Sequence, residues 1–428
     1  MQSSLVEKDK QFIWHPFTPL QSTPDPIPVV RGEGIYLIDE SGKRYIDGIS
    51  SWWVNLHGHA HPYIAKKIYD QALQLEQVIF AGFTHPPAVE LAERLLGHLP
   101  GKFSKIFYSD NGSTSTEVAI KMALQFWWNK SDSQGSRKKN KILAFNNSYH
   151  GDTFGAMSVS DRSVFTKAFH DHLFEVIFID TPTNENLNAS RKIIAEHSKD
   201  IAAFIYEPLL QGAGGMKMYD AAPMDDLLQN IQQHDIICIA DEVMTGFGRT
   251  GKLFASEYMN HQPDIICLSK GLTGGTMALG VTACSQKIVD GFMSEDKLKT
   301  FFHGHSFTAN PLACAASIAS MDLLEKESCI AAIQNIVTSH ERFIEELKSQ
   351  KSKVKNVRQL GTIIAFEIDN GKDEYLNNIS RTVTARLLKD GVYLRPLGNT
   401  VYIMPPYCIN SEELGKIYSA ILKMLDDF

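Results

Sequence analysis

Two short apolar runs and the loop between them constrain this chain more than any other stretch. Ile236-Ile237-Cys238-Ile239-Ala240 has strand length and ends on Asp241; Ile265-Ile266-Cys267-Leu268 ends on Ser269-Lys270-Gly271. Apolar runs without polar alternation belong in a sheet covered on both faces. Between them lies a loop from Glu242 to Gly251 that holds Gly246, Gly248 and Gly251. Buried strands that deliver an acid and a lysine at their C-terminal ends put both at the edge where open α/β sheets bind ligands. Alone, Asp241 reads as a helix cap and Lys270 as a surface amine. Together they suit pyridoxal phosphate (PLP), whose aldehyde links covalently to a lysine amine and whose pyridine nitrogen a carboxylate keeps protonated, so that the ring accepts electrons.

At 428 residues the chain has room for one large and one smaller domain. A net charge of -7 excludes nucleic acid as the main partner, because no excess of cations displaces phosphate counterions. No apolar run approaches the roughly 18 residues that span a bilayer, and the charged N-terminus has no apolar signal core. Cys238, Cys267, Cys284, Cys314, Cys329 and Cys408 stand singly, without a C-x-x-C pair. That is the usage of free thiols in a reducing compartment, so the expectation is a cytoplasmic protein that contacts no membrane.

In chain order, Trp14-His15-Pro16-Phe17 and the closely spaced Pro24, Pro26 and Pro28 predict an extended arm. Strands follow to Asp47, with a hairpin turn at Glu40-Ser41-Gly42-Lys43. His57, His59 and His61 lie in a glycine- and proline-flanked loop with no carboxylate or cysteine spaced to complete a site, so no metal is expected. After the strand Lys105 to Tyr108, Asn111-Gly112-Ser113 turns into a helix predicted over 114–128, with Thr114 and Glu117 as a capping box. A glycine turn opening a helix aims unpaired N–H groups at one spot, which makes Gly112 and Ser113 a candidate phosphate cradle. Residues 131–140 read as a solvated polar loop. The next strand leads to Tyr149, a candidate stacking ring, and a later one ends on Glu207. Gln211-Gly212-Ala213-Gly214-Gly215 lacks the strand–helix context of a dinucleotide fingerprint. The predicted division is 1–60 (arm and strands, joined to the small domain), 61–312 (large α/β domain, mostly parallel sheet) and 313–428 (small α+β domain).

Asn111-Gly112-Ser113, Tyr149-His150-Gly151, Glu207-Pro208, Asp241-Glu242-Val243, Ser269-Lys270-Gly271 and His303-Gly304-His305-Ser306-Phe307 occur in this order over most of the chain. The set resembles the class III PLP-dependent aminotransferases of fold type I. The resemblance implies roles. Lys270 carries the cofactor and shuttles a proton, Asp241 holds the pyridine N–H, and Tyr149 stacks on the ring. Gly112 and Ser113 bind the phosphate, with Glu207 and Val243 beside them in the cofactor site. His305 and Ser306 reach the phosphate of a second subunit, which implies a homodimer with shared active sites. Phe17, Trp52, Trp53, Tyr149, Lys270, Gly304 and Arg395 resemble the substrate contacts, and Asp152 with Arg249 an ion pair behind them.

Within that class, Trp14 to Thr18, Ser51-Trp52-Trp53, His150 to Val159 and Arg395-Pro396-Leu397-Gly398 resemble a subfamily of the biotin pathway. Its members pass an amino group from S-adenosylmethionine to 8-amino-7-oxononanoate. Arg395 suits that acceptor's distal carboxylate, which a guanidinium grips with two hydrogen bonds. Phe17 departs from the pattern, since members with the Trp-Trp pair carry tyrosine there and some with phenylalanine use lysine as donor. Trp52-Trp53 favours a sulfonium, because an aromatic face attracts a cation. Lysine as donor stays open, as do another class III ω-amino-acid aminotransferase or aminomutase and a non-catalytic PLP-binding module.

Overall fold

The computed structural model describes residues 4–131, 139–349, 353–368 and 379–427. The two apolar runs are neighbouring strands: Ile237–Asp241 pairs in parallel with Ile265–Leu268, with Asp241 opposite Cys267. They form the middle of a seven-stranded sheet whose order is Phe103–Ser109, Gly280–Ser285, Ile265–Leu268, Ile237–Asp241, Ile201–Tyr206, Lys141–Phe145, Val176–Ile179. Gly280–Ser285 runs antiparallel to both its neighbours, and the other pairs are parallel. Every residue of Ile201–Tyr206 and Ile237–Asp241 is buried, which is why these strands show no polar alternation.

The helix Gly112–Lys130 covers the strands Ile265–Leu268 and Gly280–Ser285 with Val118, Ala119, Met122 and Phe126. It starts two residues earlier than predicted. Asn111, not Thr114, is the cap: its side chain accepts from Thr114 N, and Thr114 Oγ1 accepts from Asn111 N. Glu117 instead accepts from Thr153 Oγ1 at 2.5 Å and Ala156 N at 3.2 Å, and so ties the helix to the loop that carries Tyr149.

The first 60 residues join the end of the chain. Val29–Glu33, Tyr36–Asp39 and Arg44–Asp47 form one sheet with Val392–Tyr393, which pairs in parallel with Ile46 and Asp47. The hairpin turn forms because Asp39 Oδ1 accepts from Ser41 N, Ser41 Oγ and Lys43 N. Val354–Leu360, Ile363–Ile368 and Thr400–Ile403 make a second, antiparallel sheet. Ahead of the prolines, the arm holds a short helix, Leu5–Phe12, capped reciprocally by Ser4 and Glu7. The polar loop expected over 131–140 lies mostly outside the described residues. Among the described residues no helix is long and apolar enough to cross a membrane.

Candidate active site

Lys270 leaves the strand Ile265–Leu268 in a left-handed conformation, with φ 46°, and opens the short turn Lys270–Thr273. Ser269 Oγ fixes that departure by donating to Leu279 O at 2.7 Å. Lys270 Nζ lies 4.4 Å from the centroid of the Trp53 ring. Burial lowers its pKa to about 8, against the pull of Asp241 and Glu207, which favour the ammonium form. A partly unprotonated amine at neutral pH is what a lysine nucleophile and proton carrier requires.

Asp241 is held on both oxygens. His150 Nδ1 lies 2.7 Å from Oδ2, and Val243 N donates to Oδ1 at 3.1 Å. Glu207 accepts from Tyr149 N at 3.0 Å and Gly212 N at 2.9 Å, and burial raises its pKa to about 7. Asp241, Glu207, Val243, Tyr149, Lys270, Gly112 and Ser113 all face one cavity of about 730 Å³. The first N–H groups of the helix Gly112–Lys130 have no partner within the helix. At Gly112 a Cβ would meet Val243 Cγ1 at 2.7 Å, and at Gly151, with φ 129°, it would overlap Ser113. The cradle therefore admits only glycine at both places. An anion cradle, a fixed carboxylate, an aromatic ring and a lysine of lowered pKa around one cavity fit PLP.

A second chamber, of about 340 Å³, shares Trp53, Val54, Tyr149 and Lys270 with the first. Its other walls include Phe17, Trp52, Phe165, Leu397, Tyr402 and Arg395, and Arg395 does not border the cofactor cavity. The Arg395 guanidinium lies 4.8 Å from the centre of the Trp52 ring. Among the described residues no carboxylate pairs with it. Phe17 meets Trp52 edge-on at 5.5 Å and Phe165 at 6.0 Å.

Trp52 and Trp53 sit on one left-handed turn. Ser50, Ser51, Trp52 and Trp53 have φ of 52°, 48°, 78° and 75°, and the turn is closed by Trp53 N donating to Ile49 O. For residues with a Cβ this costs about 1–2 kcal/mol each, so surrounding bonds must hold it. Ser50 Oγ donates to Met404 O, Ser51 Oγ to Asp47 Oδ2, and Trp53 Nε1 to Tyr402 Oη, all within 2.7–2.9 Å.

Other expected residues lie elsewhere. Gly304, His305 and Ser306 line a separate cavity with Ile79, Phe80 and Phe107, and none borders Lys270. Arg249 and Asp152 are not an ion pair. Arg249 is buried, donating to Pro405 O and Asn55 O at 2.9 Å each, with its guanidinium 5.1 Å from the centre of the Tyr407 ring. Asp152 lines the cofactor cavity beside Tyr149, whose pKa is raised by burial first and by the nearby Asp152 carboxylate second. Of the three loop histidines, His57 pairs with Ser320 and meets His61 edge-on at 6.3 Å, while His59 turns away to Asp47. Sequence reasoning missed His150, Phe165 and Tyr402. The Tyr149-His150-Gly151 motif could have flagged the first; no local signal marks the other two.

A family model described as Aminotransferase class-III matches residues 18–425. Among similar proteins, adenosylmethionine-8-amino-7-oxononanoate aminotransferase of Synechococcus elongatus is 47% identical, with 97% of this chain and 98% of the relative aligned. The crystal structure of the Methanocaldococcus jannaschii protein of that name superposes with a TM-score of 0.93 at 34% identity, covering 99% of this chain and 98% of the other. An omega transaminase from Pseudomonas jessenii, solved in complex with PMP, gives 0.92 at 28% identity, covering 99% of this chain and 98% of that chain. With a family match over nearly its whole length and a PLP-suited cavity around Lys270, this chain belongs to the class III, PLP-dependent aminotransferases.

Proposed function

We propose that this enzyme transfers an amino group from S-adenosylmethionine to 8-amino-7-oxononanoate, giving 7,8-diaminononanoate for biotin synthesis. The observation that carries the reading is Arg395, a guanidinium with no carboxylate partner among the described residues, in an apolar chamber that shares the Lys270 wall of the cofactor cavity. An acceptor with a carboxylate at the end of an aliphatic chain and a carbonyl near the other end matches that arrangement. The curated relatives of this name, 36–47% identical, support the same substrate pair.

When bound, PLP supplies an aldehyde that takes up the amino group and a ring that accepts an electron pair. Gly112 and Ser113 would hold its phosphate, Asp241 its pyridine nitrogen, Tyr149 its ring and Lys270 its aldehyde carbon. His150 and Val243 N keep the Asp241 carboxylate oriented. Lys270 Nζ takes a proton from the carbon bearing the donor's amino group and later delivers one to C7 of the acceptor. The lowered pKa suits both directions. Arg395 grips the acceptor carboxylate, while Trp52, Phe17 and Phe165 line the path of its chain and exclude water. Gly304, His305 and Ser306 complete the phosphate site of a second subunit, so the working enzyme is a homodimer built from a large domain (61–312) and a small one (1–60 with 313–428).

The test is to supply purified holoenzyme with 8-amino-7-oxononanoate and one ¹⁵N-labelled donor at a time, and to follow label into the diamine by mass spectrometry. Label from S-adenosylmethionine is expected. Label from lysine alone would replace the donor, and transfer from an ω-amine with none to the oxononanoate would remove the assignment.

A further inference from the structure

We propose that Asp47 is a positioning residue for the reaction: through Ser51 it holds the left-handed turn that sets Trp53 against Lys270 and Trp52 against Arg395. Asp47 borders neither cavity and is fully buried. Its Oδ2 accepts from Ser51 Oγ at 2.8 Å and lies 2.9 Å from His59 Nε2, while Oδ1 accepts from Ile49 N at 3.3 Å. Asn55 Nδ2 lies 3.2 Å from His59 Nδ1. An amide nitrogen only donates, so Nδ1 is the acceptor and Nε2 carries the hydrogen towards Asp47. A buried carboxylate charge binds its donors more tightly than a neutral acceptor would, and two of its three donors lie in or beside the strained turn.

The same carboxylate stands next to the support of Arg395. Asp47 ends the strand Arg44–Asp47 opposite Tyr393, and Gly48 N donates to Tyr393 O at 3.1 Å, two residues before Arg395. Asn55, on the far side of His59, passes its carbonyl to Arg249, and Asp47 favours that buried guanidinium electrostatically. One buried network thus fixes the turn bearing both indoles, the strand leading to Arg395 and the buried Arg249. A serine at position 51 has no intrinsic reason to adopt φ 48°, so without the Asp47 bond the turn relaxes. Its relaxation moves Trp52 off the arginine that binds the acceptor before it disturbs the cofactor cavity, in which Trp52 takes no part.

The inference rests on the aminotransferase reading of the chamber, whichever oxo acid fills it. Its test compares holoenzyme variants Ser51→Ala, Ser51→Gly and Asp47→Asn. Ser51→Ala should raise the acceptor KM about tenfold, the factor that matches the cost of one left-handed residue. Rates of nitrogen uptake from the donor should stay within about twofold, and near-ultraviolet circular dichroism from the indoles should change. Ser51→Gly should recover most of both signals, because glycine takes positive φ without strain. Asp47→Asn should lose at least as much as Ser51→Ala. Two results overturn the proposal: Ser51→Gly as impaired as Ser51→Ala, or lowered thermal stability in all three with KM and dichroism unchanged. If the wild type aminates no oxononanoate, the substrate assignment fails, and the dichroism of the serine variants still decides the role of Asp47.

Discussion

Lys270 and Glu207 set the proton balance of the site, and each leaves a separate mark on stability. Burial holds Lys270 at about 8 against the ordinary 10.5. Between those pH values the unfolded chain binds a proton that the folded chain does not, so stability of the cofactor-free protein rises with pH across that window. The gain is at most about 3 kcal/mol, and smaller because the amine faces an open cavity. Glu207 works in the opposite sense. Its pKa of about 7 against an ordinary 4.5 means the folded state binds the extra proton, and stability falls as pH rises between them. Denaturant titrations of wild type, Lys270→Met and Glu207→Gln check this. Lys270→Met should flatten the alkaline rise and Glu207→Gln the acidic decline; a wild-type slope kept in both variants contradicts the assignments. Lys270→Ala should also keep PLP binding while losing transfer from every donor, measured by dialysis and product assay.

The proposed phosphate cradle at the start of the helix Gly112–Lys130 predicts where cofactor affinity is most sensitive. Gly112→Ala presses a methyl onto Val243, and Gly151→Ala presses one onto Ser113 while forcing alanine to φ 129°. Each should weaken PLP binding at least tenfold in an absorbance titration, with Gly151→Ala the worse because both penalties apply. Unchanged affinity in both would move the phosphate elsewhere. This helix and the strands beside it were legible in the sequence because their signals are local: unbroken apolar runs, a glycine turn and an apolar helical face. Thr114 was mistaken for the cap because threonine and asparagine can both serve, and only the hydrogen bonds separate them. The Ser50–Trp53 turn was not legible at all. It contains no glycine or asparagine, and Ser50 is tied to Met404, 354 positions away. Local propensity cannot report a conformation imposed by distant partners.

Across the whole molecule, residues far apart in sequence converge on the smaller chamber: Phe17 from the arm, Trp52 from the turn after the strand Arg44–Asp47, Lys270 from just past the end of the strand Ile265–Leu268, and Arg395 from the C-terminal segment. Their identities were legible as a motif set, whereas the wall formed by Phe165 and Tyr402 emerges only from packing. Gly304, His305 and Ser306 stay apart from Lys270 within one chain. If a second subunit needs them, retained PLP should fall with the dimer signal on dilution in sedimentation, and a monomer that keeps full cofactor would contradict it. Separate single-turnover measurements of the two stages in Arg395→Ala test most directly whether Arg395 and Lys270 bound one acceptor site. Delivery of nitrogen to 8-amino-7-oxononanoate should weaken by roughly 2–5 kcal/mol, the cost of leaving a buried carboxylate unpaired, while uptake from the donor loses far less. Equal losses in both stages would contradict the account.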